Sequence, residues 1–207
     1  MSLRTMIFDF DGTIADTFTA AVATINELST EFGYRPAQPD ELSALTKLET
    51  RELTQRMGLA WHKLPAVLLR VRQEMTRKMP NVRPCEGVVP ALAQLRQRGI
   101  GVGILTSNSR ENVNAFLAHN PELVFDFISA GSGLFGKQKR LQRLLKKHGF
   151  ALAETCYVGD ETRDIEAARG LGMRMVAVGW GFSAPELLSA KEPDHLLTHP
   201  SELLSLV

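Results

Sequence analysis

The sequence has few cysteines, almost no net charge and no long apolar run, and each shortage excludes a class of protein. Its two cysteines, Cys85 and Cys156, lie far apart without a C-x-x-C motif or a nearby His, so they do not form a metal-ligand pattern. We expect both to be reduced packing residues. A net charge of +1, with basic residues spread along helical patterns, argues against nucleic acid as a partner. A small molecule is the expected partner.

Membrane and export signals are also missing from the sequence. No apolar run approaches the ~18 residues that a membrane-spanning helix needs, and the start of the chain lacks the features of a signal peptide. We therefore expect a cytoplasmic protein that does not bind a membrane. The 207 residues, 44% of them hydrophobic, suit one domain with a small insertion, present as a monomer or a homodimer.

Five short apolar runs predict buried parallel strands, at Thr5–Phe10, Gly101–Thr106, Phe125–Ser129, Thr155–Val158 and Arg174–Val178. A helical pattern follows each of the second, third and fourth runs; Ser109 can cap the first of these helices and Gly149 can end the second. Alternating strands and helices are typical of an α/β fold. We predict an open parallel sheet with helices on both faces.

A helical insertion interrupts this alternation after the first strand. Helices are predicted at Thr17–Phe32, on both sides of Thr46–Leu48, and at Trp61–Met79. Open α/β sheets bind ligands at the carboxyl ends of their strands, and the insertion begins at that end of the first strand. We therefore predict a catalytic core at residues 1–16 and 83–207, and a helical cap at residues 17–82 that moves as a lid.

Two pairs of acids follow predicted strands. Asp9 and Asp11, two residues apart, can share one face at the end of the first strand. Asp160 follows the fourth strand directly, and Asp164 lies one helical turn further. Four carboxylates at the same edge of a sheet would repel one another without a cation, and hard oxygen ligands suit Mg²⁺. The pattern predicts a magnesium site.

Phosphate-binding groups are predicted between these two pairs. Thr106 ends the second strand, and Ser107 and Asn108 precede a helix whose N-terminus can hold phosphate oxygens. Lys137 lies in "GSGLFGKQ", which matches the P-loop pattern except for its last term, because Gln138 replaces the hydroxyl residue that binds magnesium. A P-loop would also leave Asp9 and Asp11 unexplained, so the sequence pattern assigns Lys137 only as a positive charge in the loop that follows the third strand.

Taken in order, these residues resemble the four motifs of the haloacid dehalogenase-like (HAD) hydrolase superfamily. The motifs are Asp9-Phe10-Asp11-Gly12-Thr13, the run ending in Thr106, Lys137, and Gly159-Asp160…Asp164. The resemblance extends from about residue 5 to about residue 180, and the helical insertion is similar to the cap of the phosphoglycolate phosphatase-like branch.

The resemblance implies a Rossmann-like core and a magnesium-dependent phosphatase that forms an aspartyl-phosphate intermediate. Asp9 would be the nucleophile and a metal ligand, and Asp11 the general acid and base, binding the metal through its backbone carbonyl. Asp160, supported by Asp164, would complete the metal site. Thr106 and Lys137, with Ser107 and Asn108, would hold the phosphoryl group of a small phosphorylated metabolite, for which phosphoglycolate is the leading candidate.

Alternatives within the superfamily remain open. A sugar phosphomutase shares all four motifs, whereas a haloacid dehalogenase lacks the second acid of the first motif, which is present here as Asp11. A phosphonoacetaldehyde hydrolase uses a cap lysine, for which Lys47 is the candidate, although the surrounding sequence is not a close match. The cap side chains expected to contact the leaving group are those of Lys47, Glu49, Arg51 and His62.

Overall fold

A computed structural model describes residues 3–131 and 136–207 and places a parallel sheet at the centre of the molecule. The strands in these residues are β1 (Thr5–Phe8), β2 (Gly101–Leu105), β3 (Phe127–Ser129), β4 (Thr155–Gly159), β5 (Arg174–Val178) and β6 (His195–Leu197). Their order across the sheet is β3-β2-β1-β4-β5-β6, and every neighbouring pair is parallel.

Helices connect the strands, and five of them lie between β1 and β2 in the sequence. They are α1 (Phe18–Phe32), α2 (Leu42–Leu45), α3 (Thr50–Arg56), α4 (Leu64–Lys78), α5 (Val88–Gln97), α6 (Arg110–His119), α7 (Lys137–His148), α8 (Thr162–Arg169) and α9 (Pro185–Ser189). Short 3₁₀ turns occur at Pro39–Glu41, Trp61–Lys63, Met79–Asn81, Leu152–Glu154 and Pro200–Leu206. None of the described helices has the length and apolar character that crossing a membrane requires.

Alternation along the strands produces an apolar layer on each face of the sheet. Met6 and Phe8 of β1 pack in the layer that contains α5 and α6, whereas Ile7 faces the layer that contains α7 and α8. A sheet buried on both faces favours apolar residues at most strand positions, which explains the nearly continuous apolar runs. The predicted Rossmann-like fold is confirmed.

The two cysteines belong to this core, as predicted. Both are free thiols, and both pack in the layer formed by α5 and α6. Burial raises the pKa of each thiol to about 12, so neither is a reactive thiolate at neutral pH.

Some elements differ from the prediction in length or were not predicted. The first strand ends at Phe8, two residues early, because the backbone carbonyl of Phe10 accepts the amides of Ile14 and Ala15 in a turn. The third strand begins at Phe127 rather than Phe125. Strand β6 and helices α5 and α9 were not predicted; β6 is only three residues long and too short to show a period.

The helices between β1 and α5 form a unit beside the strand ends, here called the helical segment (residues 17–82). Helices α1 and α4 pack together, and a small apolar cluster of Tyr34, Leu59, Leu64 and Val67 fills their interior. The chain enters and leaves the segment at one place, where the amide of Asp16 donates to the carbonyl of Arg83 over 2.9 Å.

Candidate active site

Three buried carboxylates meet where the carboxyl ends of β1 and β4 lie side by side. Asp9 follows β1, Asp160 follows β4, and Asp164 lies in the first turn of α8. One oxygen from each lies within 4.8 Å of the other two. The strand order changes direction here, since β2 and β4 flank β1 on opposite sides, and open α/β sheets bind ligands at such points.

Lys137, the first residue of α7, is the cation of this cluster. Its Nζ donates to Oδ2 of Asp9 over 2.6 Å and also to Oδ1 of Asp164. It lies 5.4 Å above the ring of Tyr157, a cation–π contact. Burial opposes its charge, but Asp164 and Asp9 raise the pKa of Lys137 well above the ordinary value, so the side chain is positively charged.

Asp160 is held in one orientation by two donors. Thr13 Oγ1 donates to its Oδ1 over 2.7 Å, and the backbone amide of Phe182 donates to its Oδ2 over 2.8 Å. Gly12 and Gly181 pack directly on this carboxylate, because a Cβ atom at either position would lie 2.3 Å from Asp160 Oδ2. Gly12 also has a φ of +73°, which favours glycine.

The charge of the cluster fits a divalent cation. Three carboxylates face one lysine, and all four side chains are buried. Burial and the repulsion of neighbouring acids raise the pKa values of Asp160 and Asp164 above the ordinary range. A cation among them would remove this penalty, and three carboxylate oxygens are a donor set that Mg²⁺ accepts.

The side chain of Asp11 lies apart from the three clustered carboxylates. Asn108 Nδ2 donates to both of its oxygens, over 3.0 and 3.1 Å. Burial, followed by the charge of Asp9, raises the pKa of Asp11 to about 7, while the Asn108 hydrogen bond acts in the opposite direction. A carboxyl group with this pKa can both donate and accept a proton near neutral pH.

The predicted phosphate-binding residues lie next to Asp11. Thr106 is buried directly after β2, and its Oγ1 accepts the backbone amide of Asn108 over 2.9 Å, which leaves the hydroxyl proton for another acceptor. Ser107 is half-buried between them. Ser109 caps α6, as predicted, by accepting the amide of Asn112. A helix N-terminus therefore points towards this part of the site.

Comparison with known proteins agrees with this geometry. The family model described as haloacid dehalogenase-like hydrolase matches residues 6–178. A phosphoglycolate phosphatase from Synechococcus elongatus is 39% identical over 206 residues, which is 99% of this chain and 97% of the relative.

The chain belongs to the haloacid dehalogenase-like hydrolase family.

Solved structures show the same fold at lower identity. A haloacid dehalogenase-like hydrolase from Streptococcus pneumoniae covers 98% of this chain and 97% of its own, with a TM-score of 0.79 and 19% identity. The phosphate complex of CbbY from Rhodobacter sphaeroides covers 97% of this chain and 96% of its own, with a TM-score of 0.71 and 20% identity. With the family match and the 39% identical relative, the protein is an enzyme of this hydrolase family and a phosphatase.

The P-loop-like stretch is only partly within the described residues, because residues 132–135 lie outside them. Lys137 bonds to Asp9 and Asp164, as described above. Gln138 Nε2 donates to the carbonyl of Gly170 over 2.7 Å and so connects α7 to the end of α8. In this hydrolase, therefore, the Gln138 side chain takes part in helix packing.

The side chains of the helical segment proposed from sequence do not gather over the three carboxylates. Lys47 forms an exposed ion pair with Glu186 over 3.6 Å. Glu49 accepts from Thr162 Oγ1 over 2.9 Å and pairs with Lys191 over 2.6 Å, so it connects the helical segment to α8. Arg51 and His62 are exposed.

Two arginines that the sequence pattern does not single out interact with the charges of the acids. Arg72, on α4, is half-buried and forms no ion pair with the residues that the structure describes. Burial lowers the pKa of Arg72, the charge of Asp11 opposes that shift, and Arg163 adds to it. Arg163 pairs with Glu161 and also feels the charges of Asp164 and Asp9. Arg163 precedes Asp164 in sequence, but nothing in the sequence pattern distinguishes Arg72 from other helix-surface arginines.

Proposed function

We propose that this phosphatase hydrolyses phosphoglycolate in a magnesium-dependent reaction that passes through a phosphoryl group on Asp9. The observation that carries the proposal is the contact of Asp9 with Lys137 beside Asp160 and Asp164. It puts a nucleophilic carboxylate, a phosphate-binding cation and a set of metal ligands in one buried place.

The carboxylates of Asp9, Asp160 and Asp164 would hold the metal, together with the backbone carbonyl of Asp11. Bound Mg²⁺ would supply positive charge that lets an anionic nucleophile approach an anionic phosphate. Lys137 would contribute to the same neutralisation. Thr106 and Ser107 would donate hydrogen bonds to the remaining phosphate oxygens, next to the N-terminus of α6. Asn108 was predicted to bind phosphate too, but its backbone amide donates to Thr106 and its side-chain amide to Asp11, so we assign it to Asp11 instead.

The chemistry would proceed in two displacements. A carboxylate oxygen of Asp9 forms a bond to phosphorus as the ester P–O bond breaks, and Asp11 gives its proton to the departing alkoxide. A water molecule then attacks the phosphorus of the acyl phosphate, and Asp11 accepts its proton. Inorganic phosphate leaves and Asp9 is restored. The raised pKa of Asp11, about 7, is consistent with both proton transfers.

Two observations support a substrate that carries a second negative charge. The 39% identical relative is a phosphoglycolate phosphatase, and phosphoglycolate has a carboxylate two atoms from its ester oxygen. Arg72, on which the charge of Asp11 acts, has no carboxylate partner among the described residues and could bind that group.

The helical segment would act as the cap of this site. Its two connections to the sheet lie side by side, as the Asp16–Arg83 hydrogen bond shows, and paired connections are where a hinge is expected. Glu49 and α4 reach the core side, so movement of the segment would open the site.

An assay of the purified protein tests the proposed function. We expect release of inorganic phosphate from phosphoglycolate with Mg²⁺, and a loss of about 10³-fold or more in excess chelator because the carboxylate cluster would then lack its cation. Ca²⁺ should bind without supporting turnover, since its larger and looser coordination misaligns the nucleophile. Ethyl phosphate, which lacks the carboxylate, should have a kcat/KM at least about tenfold lower.

The same assay has outcomes that contradict the proposal. Undiminished turnover in chelator would exclude the metal-dependent mechanism, and equal kcat/KM values for the two esters would exclude recognition of the carboxylate. Conversion of a sugar phosphate into its isomer without release of inorganic phosphate would support the phosphomutase alternative.

A methyl group at Gly181 should weaken Mg²⁺ binding. It would lie 2.3 Å from both Cβ and Oδ2 of Asp160, so the carboxylate must leave the orientation set by Thr13 and Phe182. Groups that orient metal ligands contribute about 10–100-fold to affinity. We expect the Kd of Gly181→Ala, measured by titration calorimetry, to rise by about that factor.

Gly101→Ala is the matched control. A Cβ atom there meets its nearest neighbours at 3.5 Å, an ordinary contact, in a strand distant from the acids. Its Kd should equal that of the wild type, and an unchanged Kd in Gly181→Ala would show that the orientation of Asp160 does not govern metal binding.

A further inference from the structure

A chain of hydrogen bonds joins helix α4 of the helical segment to the carboxylate of Asp11. Thr76 Oγ1 donates to Asn112 Oδ1 over 2.7 Å, and Asn112 Nδ2 donates to the backbone carbonyl of Arg72 over 3.0 Å. Asn112 Nδ2 also donates to Asn108 Oδ1 over 2.8 Å, and Asn108 Nδ2 donates to Asp11. The chain therefore passes from α4, through one residue of α6, to the first motif.

Burial fixes the hydrogen-bond partners of the two asparagine side chains in this chain of contacts. Asn112 is fully buried and Asn108 nearly so, so neither amide can exchange its partners for bulk water. Both amide protons of Asn112 have acceptors, and its oxygen has a donor. Its side-chain conformation is thus set from two sides, by α4 and by Asn108.

The orientation of Asn108 follows from the same contacts. Its Oδ1 faces two donors, Nδ2 of Asn112 and the backbone amide of Ser109 at 2.8 Å. A flipped amide would point its NH₂ group at both donors and leave them without an acceptor, which is costly in a buried place. Asn108 must therefore present its N–H groups to Asp11.

We propose that Asn112 is a positioning residue that couples the location of α4 to the orientation of the Asp11 carboxyl, through Asn108. This inference rests on the proposed role of Asp11 as general acid and base. Val113 and Phe116 anchor α6 in the core layer, so Asn112 is fixed to the core while its amide reaches the helical segment. Movement of α4 away from the core would remove two of its three partners and free the chain to rearrange.

A comparison of two ester substrates distinguishes the positioning of Asp11 by Asn112 from a general loss of structure. Asn112→Ala should lower kcat for phosphoglycolate by about 10–100-fold with little change in KM, because departure of its alkoxide needs an aligned proton donor. 4-Nitrophenyl phosphate has a leaving group that needs no proton. Its first step, followed as the single-turnover release of 4-nitrophenol, should change less than about threefold.

Thr76→Val repeats the test from the α4 side with an isosteric change that keeps the buried amide of Asn112 in place. It should lower kcat for phosphoglycolate by about three- to tenfold and leave nitrophenol release unchanged. Asn120→Ala is the matched control at the C-terminal end of α6, since its buried side-chain amide donates, among the described residues, only to the carbonyl of Phe116, over 2.8 Å.

The kinetic results for these three variants either support or contradict the positioning role of Asn112. Selective slowing of the alkyl ester in Asn112→Ala and Thr76→Val, absent in Asn120→Ala, supports it. Equal slowing of both esters, or an unaltered kcat for phosphoglycolate in a folded Thr76→Val protein, overturns it. Failure of the wild-type protein to cleave either ester contradicts the proposed function itself, and the inference with it.

Discussion

Asp9→Asn should reduce turnover of phosphoglycolate by at least about 10⁴-fold. An amide is a far weaker nucleophile than a carboxylate, and the substitution also removes one charged metal ligand and one of the two carboxylate partners of Lys137. No phosphorylated protein should form. Rapid quenching in acid followed by mass spectrometry would measure the phosphoenzyme, and release of inorganic phosphate would measure turnover.

Asp16→Asn is the control for the loss of one negative charge. Asp16 is an exposed acid seven residues further along the chain and lies outside the carboxylate cluster. Its turnover should stay within about threefold of the wild type, as is usual for an exposed side chain. Near wild-type turnover in the Asp9→Asn protein would show that another residue is the nucleophile.

Asp11→Asn should slow turnover of phosphoglycolate by about 10²- to 10⁴-fold, the range typical of general acid and base catalysis. The Asp11 backbone carbonyl remains, so the protein should still bind Mg²⁺. With 4-nitrophenyl phosphate the first step should largely recover, because nitrophenolate leaves without a proton, whereas attack by water should stay slow. The phosphoryl group on Asp9 should then accumulate.

The site of trapped phosphate decides between the two acids. Peptide mapping of the quenched Asp11→Asn protein should find the phosphoryl group on Asp9, and Asp9→Asn, as the matched control, should show none. Phosphate on Asp11 of the wild-type protein would reverse the assigned roles. Equal slowing of both esters in every step would indicate that Asp11 acts on structure rather than on proton transfer.

Much of the fold could be predicted because buried parallel strands are apolar at nearly every position. The runs around Met6, Val102 and Val176 needed no knowledge of tertiary contacts to be recognised as strands. The residues at which the strands end could not be predicted as well. The apolar Phe10 continues the pattern of β1, yet its carbonyl belongs to a turn, and no local signal distinguishes the two uses.

The acids of the site could also be predicted, because parallel strands bring their carboxyl ends to one edge. Asp9, Asp160 and Asp164 follow adjacent strands, and they meet as this rule requires. Which side chains of the helical segment interact with these acids could not be predicted in the same way. Lys47 and Arg51 were plausible by position alone, but Arg72 is a side chain of the segment on which the charge of Asp11 acts.

The sequence by itself determined five of the strands and the helices that follow three of them, the acids at the strand ends and the family resemblance. These are local patterns of burial and spacing, so each can be recognised within a few residues. Only the tertiary structure decided that the side chain of Asp11 lies apart from the other three acids, that the amide of Phe182 orients Asp160, and that Asn112 joins α4 to Asn108. Two of those contacts join residues that are 22 and 97 positions apart in sequence. The others depend on which face of a helix packs against another element. The spacing of residues along the chain does not predict either kind of contact.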